Sequence, residues 1–255
     1  MNEWKRQFAR HRKILSALAL VLAVILIFWA VNTPVLVGVS AAQRQLPVYS
    51  VQREDKVAAL SFDAAWGNED TQTLIDTLSR YQCHATFFVV GDWVERYPES
   101  VRALAEAGNE VMNHSSSHAH FSQLTAEQIE ADISACNDKI EAVTGVAPTL
   151  FRCPYGEYDD HVIQTVRGMG MEPIQWDVDS LDWKGISAGE ITQRVLNKIR
   201  PGSIVLFHNA AEHTPEALPG ILEALIANGY TLVPISQILL DGDTFIDSTG
   251  MQCRR

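Results

Sequence analysis

Five short stretches of this sequence carry side chains that could do chemistry together. Asp63, in Ser61-Phe62-Asp63-Ala64-Ala65-Trp66-Gly67, directly follows an apolar run and could act as a general base or cap a loop. His114 and His118, in His114-Ser115-Ser116-Ser117-His118, stand at i and i+4. On a helix their imidazoles would face the same way, a common arrangement for holding a divalent metal. His120 would face elsewhere. Arg152-Cys153-Pro154-Tyr155-Gly156 joins a tight turn to a guanidinium that could fork onto a carboxylate. Between Trp176 and Trp183 lie Asp177, Asp179 and Asp182, carboxylates among aromatics that suit sugar recognition or the tuning of a histidine. His208 ends the apolar run 204–207, where a catalytic acid could stand.

The elements between these stretches must position them. Short apolar runs at 57–62, 85–90, 110–112, 149–152, 172–176, 203–207 and 231–233 read as strands. Between them, 3.6-period or capped stretches read as helices: from Asp70 or Thr71 through Leu78, then 92–107, 125–143, 159–169, 187–199 and 215–228. Thr125 followed by Gln128 is a capping-box start, and Gly108 a stop. Strands alternating with helices of this length predict a parallel βαβ architecture in one α/β domain, a barrel or a doubly wound sheet. In either, the active site belongs at the carboxyl ends of the strands, where all five stretches fall.

The ends of the chain differ from its body. Residues 1–13 form a basic arm with Lys5, Arg6, Arg10, Arg12 and Lys13. Residues 14–31 are apolar except for Ser16, a run that as a helix reaches roughly 27 Å and so approaches the thickness of a bilayer core. This predicts an uncleaved single-pass membrane anchor, with the basic arm cytoplasmic and the body outside. The alternative is secretion after signal cleavage near Val39-Ser40-Ala41. Residues 32–56 read as a linker, 57–240 as the domain and 241–255 as a tail without a legible signal. The net charge of −11, set against a basic amino-terminal arm, leaves the body strongly acidic and excludes nucleic acid as an expected partner. Cys83, Cys136, Cys153 and Cys253 fit no CxxC metal pattern, and their spacing selects no disulfides.

In this order, the five stretches resemble the NodB-homology polysaccharide deacetylases (carbohydrate esterase family 4), in particular their PdaB-type sporulation branch. The resemblance covers about 57–238. It implies a distorted, incomplete (β/α) barrel, preceded here by the amino-terminal transmembrane helix, and metal-assisted hydrolysis of an acetamide on a cell-wall glycan, with peptidoglycan the expected partner. It makes Asp63 the base, His114 and His118 ligands of a divalent metal such as zinc, and Arg152 the group that orients the base. Tyr155 would offer a backbone N–H to the oxyanion, Trp183 and Leu206 would wall the acetyl methyl, and His208 would be the acid tuned by Asp182. One departure stands out: the family's third metal ligand follows the base, and here that residue is Ala64. Glu69, Asp70 or His120 would have to substitute, or water would fill the shell; without them the protein would be a catalytically silent glycan binder or scaffold. Cys153, which replaces a common proline, is expected as a small buried residue.

Overall fold

The computed structural model describes residues 3–32 and 44–255, which divide into an amino-terminal unit ending at Gln43 and a body from Arg44 to Arg255. The amino-terminal unit contributes helix α1 (Glu3–Asn32), which covers the apolar run. The side chains at 27 and 30, like those of Lys5, Arg6 and Arg10, lie outside the described residues, and among the described residues no helix is long and apolar enough to cross a membrane. Val39-Ser40-Ala41 also lies outside them.

In the body, β1 (Ser50–Val51) and β2 (Val57–Ala64) precede α2 (Thr71–Arg80) and β3 (Thr86–Val89). The expected 92–107 helix is two: α3 (Gly91–Arg96) and α4 (Pro98–Glu106). Pro98 disfavours helical geometry at Tyr97, which sits at φ −133° and breaks the run. There follow β4 (Glu110–Asn113) and α5 (Ala126–Thr144), whose capping box joins Thr125 and Gln128 in both directions. Then come β5 (Leu150–Phe151), α6 (Asp160–Gly168), β6 (Glu172–Pro173), β7 (Val178–Asp179), α7 (Ala188–Lys198) and β8 (Ile204–His208). The chain ends with α8 (Thr214–Ala227), β9 (Thr231–Leu232), α9 (Ile235–Ile238), β10 (Thr244–Ile246) and β11 (Met251–Arg254).

Strands β2 to β9 form one sheet in the order β6-β5-β4-β3-β2-β8-β7, with β9 also on β2 and every pair parallel. Among the described residues β6 and β7 do not pair, so the sheet is the open, incomplete (β/α) barrel expected. Period two divides β2 between two cores. Leu60, Phe62 and Ala64 pack with Leu74, Leu104, Ile191 and Leu218 of the surrounding helices, and Phe62 stacks between Phe87 and Phe207 at 4.8 and 5.3 Å. Ala59 faces inward with Phe88, Met112, Ile174 and Ile204.

Two boundaries need correction. The fold begins at Arg44, not after a linker ending at 56: Val48 bridges to Ile174, β1 pairs with β11, and Val51 N–H bonds Gly202 O at 2.9 Å. Gly202 permits this crossing with φ +84°, since a Cβ there would meet the Val51 carbonyl. The segment has no local period because its partners lie far along the chain. Nor is 241–255 a tail outside the domain. β10 and β11 form an antiparallel hairpin whose turn is held by Asp247 Oδ1, which accepts from Thr249 N, Thr249 Oγ1 and Met251 N at 2.7–3.0 Å.

Candidate active site

Parallel strands bring their carboxyl ends to one rim, and β2 and β8 set the register there: Asp63 lies directly across from His208. Each of these residues has its own ionic partner. Arg152, fully buried, donates from Nη1 to Asp63 Oδ1 at 2.7 Å and from Nη2 to Ser61 Oγ and Gln175 O at 2.9 and 3.1 Å. Its guanidinium also lies 4.1 Å above the Phe88 ring. Burial opposes ionisation of Asp63, but the Arg152 guanidinium, with His114 and His208 beside it, outweighs burial and holds the carboxyl below its ordinary value.

His208 is held from behind by Asp182. One carboxylate oxygen pairs with His208 Nδ1 at 2.8 Å and accepts Trp183 N–H at 2.9 Å; the other accepts His208 N–H at 2.8 Å and Thr214 Oγ1 at 2.7 Å. Burial works to strip the ring of its proton, but the hydrogen bond to Asp182 and the charges of Asp63, Asp182 and Asp179 prevail. His208 therefore holds its proton above the usual histidine pKa.

His114 and His118 do come together, with ring centroids 5.1 Å apart, but not on a helix. Residues 114–120 are a loop with φ +70° at Ser115 and +54° at His118. Asn113 Oδ1 accepts Ser115 N–H at 2.7 Å, Ser115 Oγ accepts His118 N–H at 2.7 Å, and Asp132 on α5 gathers the Ser116 and Ser117 N–H groups. His114 Nδ1 lies 2.8 Å from Arg152 O, which fixes the N–H on Nδ1 and leaves Nε2 3.6 Å from Asp63 Oδ2. Burial lowers His114, and burial with the neighbouring His114 lowers His118 to about 4, so both imidazoles are neutral near pH 7.

That donor set falls short of a metal centre. Neutral rings, one with its far nitrogen bonded to a carbonyl, are prepared as ligands, but catalytic zinc normally keeps three protein ligands. Ala64 is a methyl buried in the helix-side core. Glu69, Asp70 and His120 do not line the cavity. Asp70 Oδ2 instead accepts Ala210 N–H at 2.9 Å, while His120 pairs with Glu157 and stacks on Tyr155. Among the described residues no group of three His, Cys, Asp or Glu could hold a metal ion. A thermal scan tests this: micromolar zinc is expected to raise the melting temperature by less than about 2 °C, because a ligand stabilises only as RT ln(1 + [L]/Kd). A larger rise, lost in His114→Ala, would mean that a third ligand completes the site.

These groups open on one cavity of about 370 Å³. Asp63, His114, His118, Tyr155, Trp183, Leu206 and His208 line it, with Arg152 and Asp182 directly behind. The three carboxylates of the 176–183 stretch separate: Asp179 lines the cavity, Asp182 serves His208, and Asp177 is structural, holding Ile204 N, Ser203 Oγ and Arg200 Nε. Cys153 is buried, as are Cys83, Cys136 and Cys253, and all four are free thiols. The sequence reading missed Trp66 and Trp176 in the lining. It also missed Asn209, which donates its N–H to Asp63 O at 3.1 Å, accepts Ala65 N–H at 3.2 Å and donates to Gly67 O, tying together the loops after β2 and β8. The adjacency of Asn209 to His208 is the signal that could have found it.

Residues 50–174 match the family described as polysaccharide deacetylase. The peptidoglycan-N-acetylmuramic acid deacetylase PdaC of Bacillus subtilis is 36% identical over 74% of this chain, and this chain spans 40% of that protein's length. A peptidoglycan-N-acetylglucosamine deacetylase of Bacillus cereus is 31% identical over 69% of this chain and 66% of its own. Among solved structures, a CE4-family pseudoenzyme of Bacillus anthracis superposes with a TM-score of 0.73 at 33% identity, covering 75% of this chain and 68% of that one. A mutant of that pseudoenzyme with restored enzymatic activity superposes equally well at 34% identity.

Proposed function

The chain belongs to the polysaccharide deacetylase (CE4) family, and from that membership we propose that it removes acetyl groups hydrolytically from an N-acetylated glycan of the peptidoglycan type. One observation carries the reading: Asp63 and His208 stand in register on adjacent strands, each with its own buried ionic partner, over one cavity. Asp63, ionised, accepts a proton from the attacking water. His208, protonated, delivers one to the departing nitrogen as the amide C–N bond breaks, leaving acetate and a free amine on the sugar. Trp183 and Leu206 would wall the acetyl methyl, with Tyr155 N–H toward the developing oxyanion. His114 and His118 offer a cation such as zinc only two imidazoles, which supports weak binding, and no step here runs through it.

A second reading has its own support. Ala64 in place of a ligand, and the likeness to a pseudoenzyme, favour a silent glycan-binding protein. Acetate release by the full chain from peptidoglycan fragments separates the two. Turnover that falls about 10²–10⁴-fold in Asp63→Asn is the expected result; no release from a folded protein would leave the silent binder. We also propose, on the apolar run and basic arm alone, that 14–31 anchors the chain with its body extracytoplasmic. The PdaB-type branch, and with it a sporulation role, rests on the sequence motifs alone. Membrane pellets washed at alkaline pH should retain an anchored chain and release an unanchored one.

A further inference from the structure

Three large aromatic side chains of the body stand more than half exposed, and all three border the same cavity: Trp66 at 56%, Trp183 at 56% and Tyr155 at 60%. None belongs to any of the three apolar clusters that hold the body together, so packing does not account for them. Exposed aromatics gathered at one opening mark a ligand surface. Trp183 and Tyr155 already have places around the acetyl group; Trp66 has none.

Trp66 is also set up to receive a ligand. Its loop is fixed on both sides: Ala65 N–H bonds Asn209 Oδ1 at 3.2 Å, and Gly67 O accepts from Trp93 Nε1 at 2.9 Å and from Asn209 Nδ2. The indole lies between the two halves of the site, with its centroid 6.0 Å from that of His118 and 6.4 Å from that of His208. A group stacked on its open face would therefore sit beside the position where the scissile bond must lie for His208 to protonate the nitrogen. A pyranose chair presents a face of C–H groups that packs flat on an aromatic ring, and a rigid indole loses little freedom in making that contact.

We propose that Trp66 is a stacking platform for a pyranose ring of the glycan chain, a subsite that orients the polymer over the Asp63–His208 pair. The inference rests on the glycan reading above but not on turnover, because a silent binder would need the same platform. The test is calorimetric titration of the full chain with a pentameric N-acetylglucosamine oligosaccharide, with acetate assayed afterwards so that binding and turnover are read separately. Trp66→Ala is expected to weaken binding about tenfold or more, and Trp66→Phe, which keeps an aromatic face, to stay within about threefold of the parent. Near-ultraviolet circular dichroism checks that both variants keep the fold. Equal affinity in Trp66→Ala and parent would overturn the platform while leaving the glycan reading in place. A parent chain that binds no oligosaccharide would overturn both.

Discussion

Arg152→Met is expected to destabilise the body by about 3–5 kcal/mol and to abolish turnover, because it strands an ionised carboxylate in the interior. The guanidinium is fully buried, Asp63 nearly so, and the pair meets at 2.7 Å. Among the described residues Arg152 is the one cation that hydrogen-bonds Asp63: His114 is held neutral, and protonated His208 acts on it only through its charge. Arg152→Lys should recover little: one ammonium cannot serve Asp63, Ser61 and Gln175 from the plane that also lies over Phe88. Urea unfolding at pH 7 reads the loss, and the double mutant with Asp63→Asn assigns its cause. Once the carboxylate is gone, the arginine has less to neutralise, so the double mutant should be destabilised by less than the sum of the single changes, with a coupling of about 1–3 kcal/mol. Strict additivity would show that the arginine stabilises through Ser61, Gln175, Phe88 and Trp176 rather than through Asp63.

What the sequence made legible follows from parallel-sheet geometry. Once Asp63, Arg152 and His208 are recognised at the ends of apolar runs, a parallel sheet must bring them to one rim, and it does. The histidine loop was less legible. The i, i+4 spacing suggested a helix, but the rings meet through left-handed backbone at Ser115 and His118, braced by Asp132 from α5. No local pattern signals a partner that far along the chain. The same holds for the first residues of the body, whose pairing partners are β11 and residues near 174 and 203. Asp177, Asp179 and Asp182 look equivalent in sequence and are not, because each strand end and turn aims its carboxylate differently. The hairpin at the carboxyl terminus did carry a signal: Asp247-Ser248-Thr249-Gly250 is turn chemistry between two short alternating runs.

Asp182→Asn is the complementary experiment on the acid side of the cavity, and its expected signature is in pH. Protonated His208 gains from Asp182 in the folded state, so its pKa lies above the unfolded value of about 6.5. The stability it contributes is fully present below that unfolded value and is lost as pH rises through the folded one. An asparagine keeps one acceptor oxygen where the carboxylate uses two, so its amide nitrogen must confront the donors at His208 N–H and Thr214 Oγ1 or at His208 Nδ1 and Trp183 N–H. In a site this buried, an unmatched donor pair costs about 1–3 kcal/mol. Turnover should fall about 10²–10⁴-fold, the usual range for losing a positioned acid. The residual activity should decline at lower pH than in the parent, because His208 gives up its proton earlier. Thr214→Val, which removes one of the four bonds without touching the charge, should leave that alkaline limb in place. If Asp182→Asn lowered the rate without moving the limb, the group that protonates the leaving amine would not be His208, and the cavity's acid would have to be sought elsewhere.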